Sequence, residues 1–301
     1  HLMERSRKMQ HKILDIKEEA KVNISKLNLD NIVVGFPGVN GSFSEEAMER
    51  YFGSKVKNKC YEEFEDVFMA LKNDEIDYCI IPIENSSTGA VTQAYDLINK
   101  YNFYIVGEQY VKIDQNLLGV KGCTVDTIKE VYSHPQGFAQ STEFLRNYKD
   151  WVQIPYHNTA ISAKLVCDLK DITKAAIGSK KAAECYGLED VKAGINNQSE
   201  NYTRFVVLSK EFLADEESNK ISIIISLDDE VGTLYTFLRN FAENNINLRK
   251  IESRPIKNSP WKYIFYLDFE GSIYNSEVKN TLEVIEEKSK YFKLLGNYKK
   301  N

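Results

Sequence analysis

The residues best suited to chemistry sit in one short run, Asn201-Tyr202-Thr203-Arg204-Phe205, which flows without a break into Val206-Val207-Leu208-Ser209. An amide, a hydroxyl, a guanidinium and two aromatic rings head an apolar, β-branched segment of the kind that forms a buried strand. The polar head is expected where that strand meets a cleft, and open α/β sheets bind ligands at such rims. In a regular strand, alternation sets Thr203 on one face with Asn201 and Phe205, and Arg204 on the other. Taken alone, the run also fits an edge strand with a surface ion pair.

Three further stretches repeat the pattern of an apolar strand ending in polar side chains. Ile76 to Ile83 runs into Glu84-Asn85-Ser86-Ser87-Thr88-Gly89-Ala90-Val91. A carboxylate, an amide and three hydroxyls beside free backbone N–H groups exceed what capping a helix requires, and they suit ligand binding. Ile128 to Tyr132 ends at Ser133-His134-Pro135-Gln136, followed by a helix expected through Gln140 to Tyr148. His134, placed before a proline, fits a locally bonded turn residue better than a general base. Ile32 to Phe36 stops at Pro37-Gly38. Ser42, with Glu45 three residues on, then has the spacing of a capping box, where a helix N-terminus can receive an anion.

The elements that must position these groups follow from periodicity. Glu62 to Lys72 reads as an amphipathic helix with Phe64, Val67, Phe68 and Leu71 on one face. A chain crossing is expected over Val106–Leu118, and further α/β alternation over Ile154–Ile195 includes Ser179 capping a helix Lys180–Tyr186. After a polar linker over Asp215–Asn219 the pattern changes to strand, helix, two strands, helix and strand between Ile221 and Leu295. That βαββαβ order implies an antiparallel sheet with helices on one face. Residues 3–28 read as a polar helix with a narrow stripe of Met9, Ile13 and Ile16.

Composition excludes several function classes. A chain of 301 residues, 43% apolar and 28% charged with net charge −5, is expected to form about two domains. It has no basic stripe for nucleic acid and no apolar run of membrane-spanning length. Its five cysteines are scattered, with no Cys-x-x-Cys pair, and its four histidines lack metal-site spacing. Reduced thiols point to the cytoplasm.

Taken together, Gly35–Ala47, Pro82–Val91, Ser133–Gln140 and Asn201–Phe205 resemble the prephenate dehydratase family. Gly232-Thr233-Leu234-Tyr235 and Glu252-Ser253-Arg254-Pro255 resemble the phenylalanine-binding loops of its ACT regulatory module. Thr233 departs from the family's usual alanine. The resemblance implies an α/β fold in which a two-lobed, periplasmic-binding-protein-like catalytic domain (31–213) precedes a ferredoxin-like ACT domain (220–298). It implies dehydration and decarboxylation of prephenate to phenylpyruvate, without cofactor or metal, under feedback by L-phenylalanine, in a homodimer or homotetramer. It carries catalytic roles onto Thr203 and Glu84. Substrate binding falls on Asn85, Ser86, Ser87, Thr88, Gly89, Ser133, Gln140, Arg204 and Phe205. Effector binding falls on Gly232, Thr233, Leu234, Tyr235, Glu252, Ser253, Arg254 and Pro255. Met3–Gln10 resembles the last helix of a helical chorismate mutase, so residues 1–30 read as a linker helix and a possible remnant of such a domain. Two alternatives stay open at this point: a non-catalytic two-lobed sensor of small anions, and an arogenate dehydratase.

Overall fold

The computed structural model describes residues 31–256 and 261–301. The helix expected over 3–28, with its mutase resemblance, lies outside the described residues. In chain order the first elements are β1 (Val33–Pro37), α1 (Phe43–Phe52), β2 (Lys57–Tyr61), α2 (Phe64–Lys72), β3 (Tyr78–Asn85), β4 (Gly89–Ala90), α3 (Thr92–Tyr101) and β5 (Tyr104–Lys112). There follow β6 (Asn116–Gly119), β7 (Glu130–Ser133), α4 (Pro135–Gln140), α5 (Thr142–Leu145), β8 (Val152–Pro155), α6 (Thr159–Leu169), β9 (Lys174–Gly178), α7 (Lys180–Tyr186), β10 (Glu189–Lys192) and β11 (Tyr202–Ser209). The last are β12 (Lys220–Ser226), α8 (Thr233–Glu243), β13 (Leu248–Pro255), β14 (Tyr263–Glu270), α9 (Ser276–Lys288) and β15 (Tyr291–Tyr298).

Three sheets result. The first has the order β2-β1-β3-β11-β5, with β4 paired to β3, and the second the order β10-β6-β9-β7-β8. The chain leaves the first sheet after β5, builds the second, and returns along β11, so the Thr203 strand is inserted between β3 and β5. The stretch expected as a bare crossing over 106–118 is therefore two strands, β5 and β6. The expected helix through Gln140 to Tyr148 is two short helices, parted at Ser141, whose backbone turns to φ −123°, ψ 17°. Strands β2 and β10 escaped the sequence reading for one reason. Each closes a sheet, is mostly exposed and carries lysine or carboxylate side chains, the composition that protects an edge and erases the apolar signal.

By proximity the described chain divides into two compact units, 31–97 with 109–206 and 98–108 with 207–301. The second unit holds the antiparallel sheet, ordered β13-β14-β12-β15. Ile221, Ile223 and Ile225 alternate onto one face of β12. There they meet Phe237 and Phe241 of α8, Leu282 and Ile285 of α9, and Leu267 and Phe269 of β14. Burying an aliphatic or aromatic side chain contributes about 1.5–3 kcal/mol, so this cluster is the main support of the βαββαβ fold. Among the described residues no helix is long and apolar enough to cross a membrane.

Candidate active site

A cavity of about 360 Å³ is lined from both of the first two sheets and lies wholly within the unit of residues 31–97 and 109–206. Asn85, at the end of β3, and Thr203 and Phe205, on β11, form one wall. Gly38 and the N-terminus of α1 (Ser42, Phe43, Ser44) stand beside them. His134, Gln136 and Gln140 of the β7–α4 segment, with Asn158 and Thr159 opening α6, line it from the other sheet. None of the described lining residues is lysine or arginine.

The local sequence explains why the helix ends face the cleft. Ser42 accepts from the Glu45 N–H (3.3 Å) and Glu45 accepts from the Gly41 N–H (2.6 Å), a capping arrangement displaced by one residue from the expected box. Asn158 accepts from the Ile161 N–H (2.7 Å). Each cap consumes one N–H of its first turn and leaves others directed outward. Together they bring positive partial charge to the cavity without a cationic side chain, although the lining also includes the Glu62 carboxylate.

At the centre is Asn85. Its Oδ1 accepts from the N–H groups of Ser87 (2.9 Å) and Thr88 (3.0 Å). Backbone N–H groups only donate, so this assigns the amide's orientation. Its Nδ2 must then donate toward β11, to Asn201 Oδ1 (2.8 Å) and Thr203 Oγ1 (3.0 Å). Thr203 thus spends a lone pair on Asn85, and its own hydroxyl hydrogen is left available as a donor at the cavity wall. The side chains of Asn85, Asn201 and Thr203 are all at least nine-tenths buried, so water competes little for these bonds.

The sequence-predicted residues divide by strand alternation. Asn85, Gln140, Thr203 and Phe205 line the cavity; Glu84 and Arg204, the next residue along each strand, do not. Those two face each other instead, with Arg204 Nη1 and Glu84 Oε2 at 3.9 Å. Ser86–Gly89 is the hairpin joining β3 to β4, and it serves Asn85. Ser86 exchanges bonds with Tyr202 across the strands, Ser87 and Thr88 anchor the Asn85 carbonyl, and Gly89 takes φ +83° at the turn. The Thr88 hydroxyl also receives a bond from Gln136 (3.3 Å), linking the two walls at the rim. Ser133 is fully buried and donates to the Ile177 carbonyl (3.2 Å). His134 accepts the Gln136 N–H on Nδ1 (3.1 Å), and burial pushes its pKa down, so the neutral ring carries its proton on Nε2.

Sequence reasoning missed Gln115, which is buried and lines the cavity. It donates to Gln140 (3.0 Å), while its own Oε1 has no partner. It also missed Asn158 and Thr159. An Asn-Thr pair at the start of α6 was the available signal, since it matches Ser42 in the other wall.

In the ACT-like unit, Gly232 takes φ +82° at the head of α8. Thr233 and Leu234 line a pocket of about 210 Å³ with Asp228, Glu230, Trp261, Tyr263 and Lys290. Tyr235 is largely exposed. Glu252, Ser253, Arg254 and Pro255 lie on β13, an edge strand, and do not line that pocket. The two predicted effector stretches are therefore not brought together within one chain.

A family model described as prephenate dehydratase matches residues 34–212. The chain belongs to the prephenate dehydratase family. A second model, the ACT domain, matches residues 221–287. The bifunctional chorismate mutase/prephenate dehydratase of Escherichia coli K12 is 34% identical over 284 residues, covering 92% of this chain and 73% of that protein. The corresponding protein of Buchnera aphidicola from Schizaphis graminum is 33% identical over 278 residues, covering 90% and 72%. Among solved structures, the Arthrobacter aurescens prephenate dehydratase in complex with L-Phe superposes with TM-score 0.81 at 26% identity, covering 89% of this chain and 90% of that one.

Proposed function

We propose that this chain converts prephenate to phenylpyruvate in the cavity that Thr203 and Asn85 share, with residues 31–213 carrying the chemistry. Prephenate is a dianion with a ring hydroxyl opposite the carboxylate that is lost. In the reaction the ring C–CO₂ bond breaks and its electron pair enters the ring. The C–OH bond breaks on the far side, and one proton joins the departing hydroxyl to form water. Aromatisation supplies the driving force, so the protein's task is to hold the dianion and support the leaving hydroxyl.

The observation that carries this reading is the bond from Asn85 Nδ2 to Thr203 Oγ1. It occupies one lone pair of the threonine hydroxyl and leaves its hydrogen available as a donor at the cavity wall. We assign Thr203 to the departing hydroxyl, Asn85 to orienting Thr203, and Phe205 to the ring. The helix ends at Ser42–Ser44 and Asn158–Thr159 suit the carboxylates, and Gln140 and Gln115 complete the wall. Glu84 and Arg204 we assign to bracing β3 against β11, and Ser86–Gly89 to holding Asn85.

Residues 220–298 we assign to L-phenylalanine. The turn at Gly232 opens α8 and suits a carboxylate, and the Asp228–Glu230 loop beside it, whose Asp228 pairs with Lys290, suits an ammonium group. Glu252–Pro255, on the free edge of β13, would reach such a ligand from a second subunit, which makes a homodimer or homotetramer the working assembly. The free cysteines fit a reducing compartment, the cytoplasm.

Prephenate turnover followed by phenylpyruvate absorbance tests the reading. Thr203→Ala is expected to lower kcat about 10²-fold or more, the scale of an acid–base group, and Thr203→Ser to retain part of the activity. A wild-type protein that leaves prephenate unchanged overturns the function, and Thr203→Ala at the wild-type rate overturns the role.

A further inference from the structure

We propose that the buried Glu108–Lys220 ion pair is the joint through which ligand binding to residues 220–298 acts on strand β5 and hence on the cleft. This rests on the reading of L-phenylalanine as effector.

One face of the antiparallel sheet carries the apolar core already described; the other face buries lysine and serine side chains beside Ile224 and Tyr266. Lys220, Ser222 and Lys293 are each no more than 4% exposed. The segment 98–108 packs on the two lysines. Lys220 Nζ meets Glu108 Oε2 at 2.8 Å, Lys293 Nζ donates to the Ile98 carbonyl (3.3 Å), and Tyr291 donates to Asn99 (3.0 Å). A Cβ on Gly296 would overlap the Ile105 carbonyl, so the backbone of β5 lies directly on β15.

A buried pair contributes little more than apolar side chains of the same volume, but separating its partners leaves an uncompensated charge. Such a contact has discrete states: it moves as one body or breaks. β5 continues from Glu108 to Lys112. Ile113, about 17 Å along an extended chain, lines the cavity and donates its N–H to the Asn201 carbonyl at the head of the Thr203 strand (2.7 Å). A displacement of the sheet carrying Lys220 therefore has a route along β5 to a residue of the cavity wall.

The test uses the full chain with L-phenylalanine as probe. In Glu108→Leu/Lys220→Met, apolar groups replace the pair. Calorimetric affinity for L-phenylalanine and uninhibited turnover are expected to stay within about threefold of wild type, and maximal inhibition to fall at least tenfold. Undiminished inhibition in the folded variant overturns the joint alone. Wild type that binds no L-phenylalanine, or binds it without inhibition, overturns the effector reading and the joint with it. Hydrogen exchange on the wild-type protein does not depend on the variant folding: amides of 104–112 are expected to change rate on saturation with L-phenylalanine, those of β10 not. Unchanged exchange in β5 overturns the proposal.

Discussion

Replacing Asn85 by aspartate tests the central geometry with almost no change of shape. The oxygen facing Ser87 and Thr88 keeps its backbone donors at 2.9 and 3.0 Å. The other position loses its protons. There a carboxylate oxygen would face Asn201 Oδ1, now 2.8 Å from a donor, and Thr203 Oγ1, now 3.0 Å. Asn201 can relieve the first clash by turning its amide over. Thr203 can relieve the second only by donating its hydrogen to the new carboxylate, which takes it away from the departing hydroxyl. The loss is one charge-stabilising donor in the transition state, about 2.7 kcal/mol or 10²-fold in kcat. Rearranging one buried bond costs about 1–3 kcal/mol of stability, a few degrees in Tm. Stopped assays of phenylpyruvate formation with a parallel melting curve separate the two effects. An Asn85→Asp protein with kcat within about twofold of wild type refutes the claim that Asn85 directs Thr203, whatever its Tm.

The other expectations concern residues around this core. Gly41 holds φ +84°, and a Cβ there would lie 2.9 Å from Ala182 Cα, where Ser179 donates to the Gly41 carbonyl (2.9 Å). Gly41→Ala should cost about 1–2 kcal/mol for the backbone alone and raise KM more than it lowers kcat; an unchanged Tm and KM would show that the contact gives way freely. Arg204 lies off the cavity, so Arg204→Lys should lower stability by about 1–3 kcal/mol and leave competitive inhibition by phenylpyruvate unchanged. A tenfold weaker product would place the guanidinium on the substrate. Burial pushes the Lys293 ammonium down to about 7 from 10.5. Between those pH values the unfolded chain binds the extra proton, so stability should rise with pH across the window at up to about 1.36 kcal/mol per unit. Lys293→Met, followed by urea melts at several pH values, should flatten that rise and stabilise the protein below pH 7. An equally steep rise in the variant would assign it to another group.

The amino-acid sequence by itself determined the apolar strands, their polar ends and the family, but not the exposed edge strands β2 and β10. Val206–Leu208 read as a buried strand, and the alternation of Thr203 with Arg204 already put the two on opposite faces. Ser42 and Ser179 capped helices as their spacing required, and the isoleucines of β12 announced a one-sided core. These are local properties, set by backbone periodicity and by the hydrogen bonds a side chain can reach within a few residues. Three things were settled only by tertiary structure. Asn85 meets Thr203 across 118 positions of sequence, so the direction of the threonine's proton depends on which strands are neighbours. Gln115 and Asn158 join the cavity because the chain leaves one sheet and returns to it along β11, and no periodicity records that path. Lys220 and Lys293 read as surface lysines in any window of sequence, yet they lie buried because 98–108 covers them. Burial of a charge is a fact about what packs against it, and that partner was more than a hundred residues away.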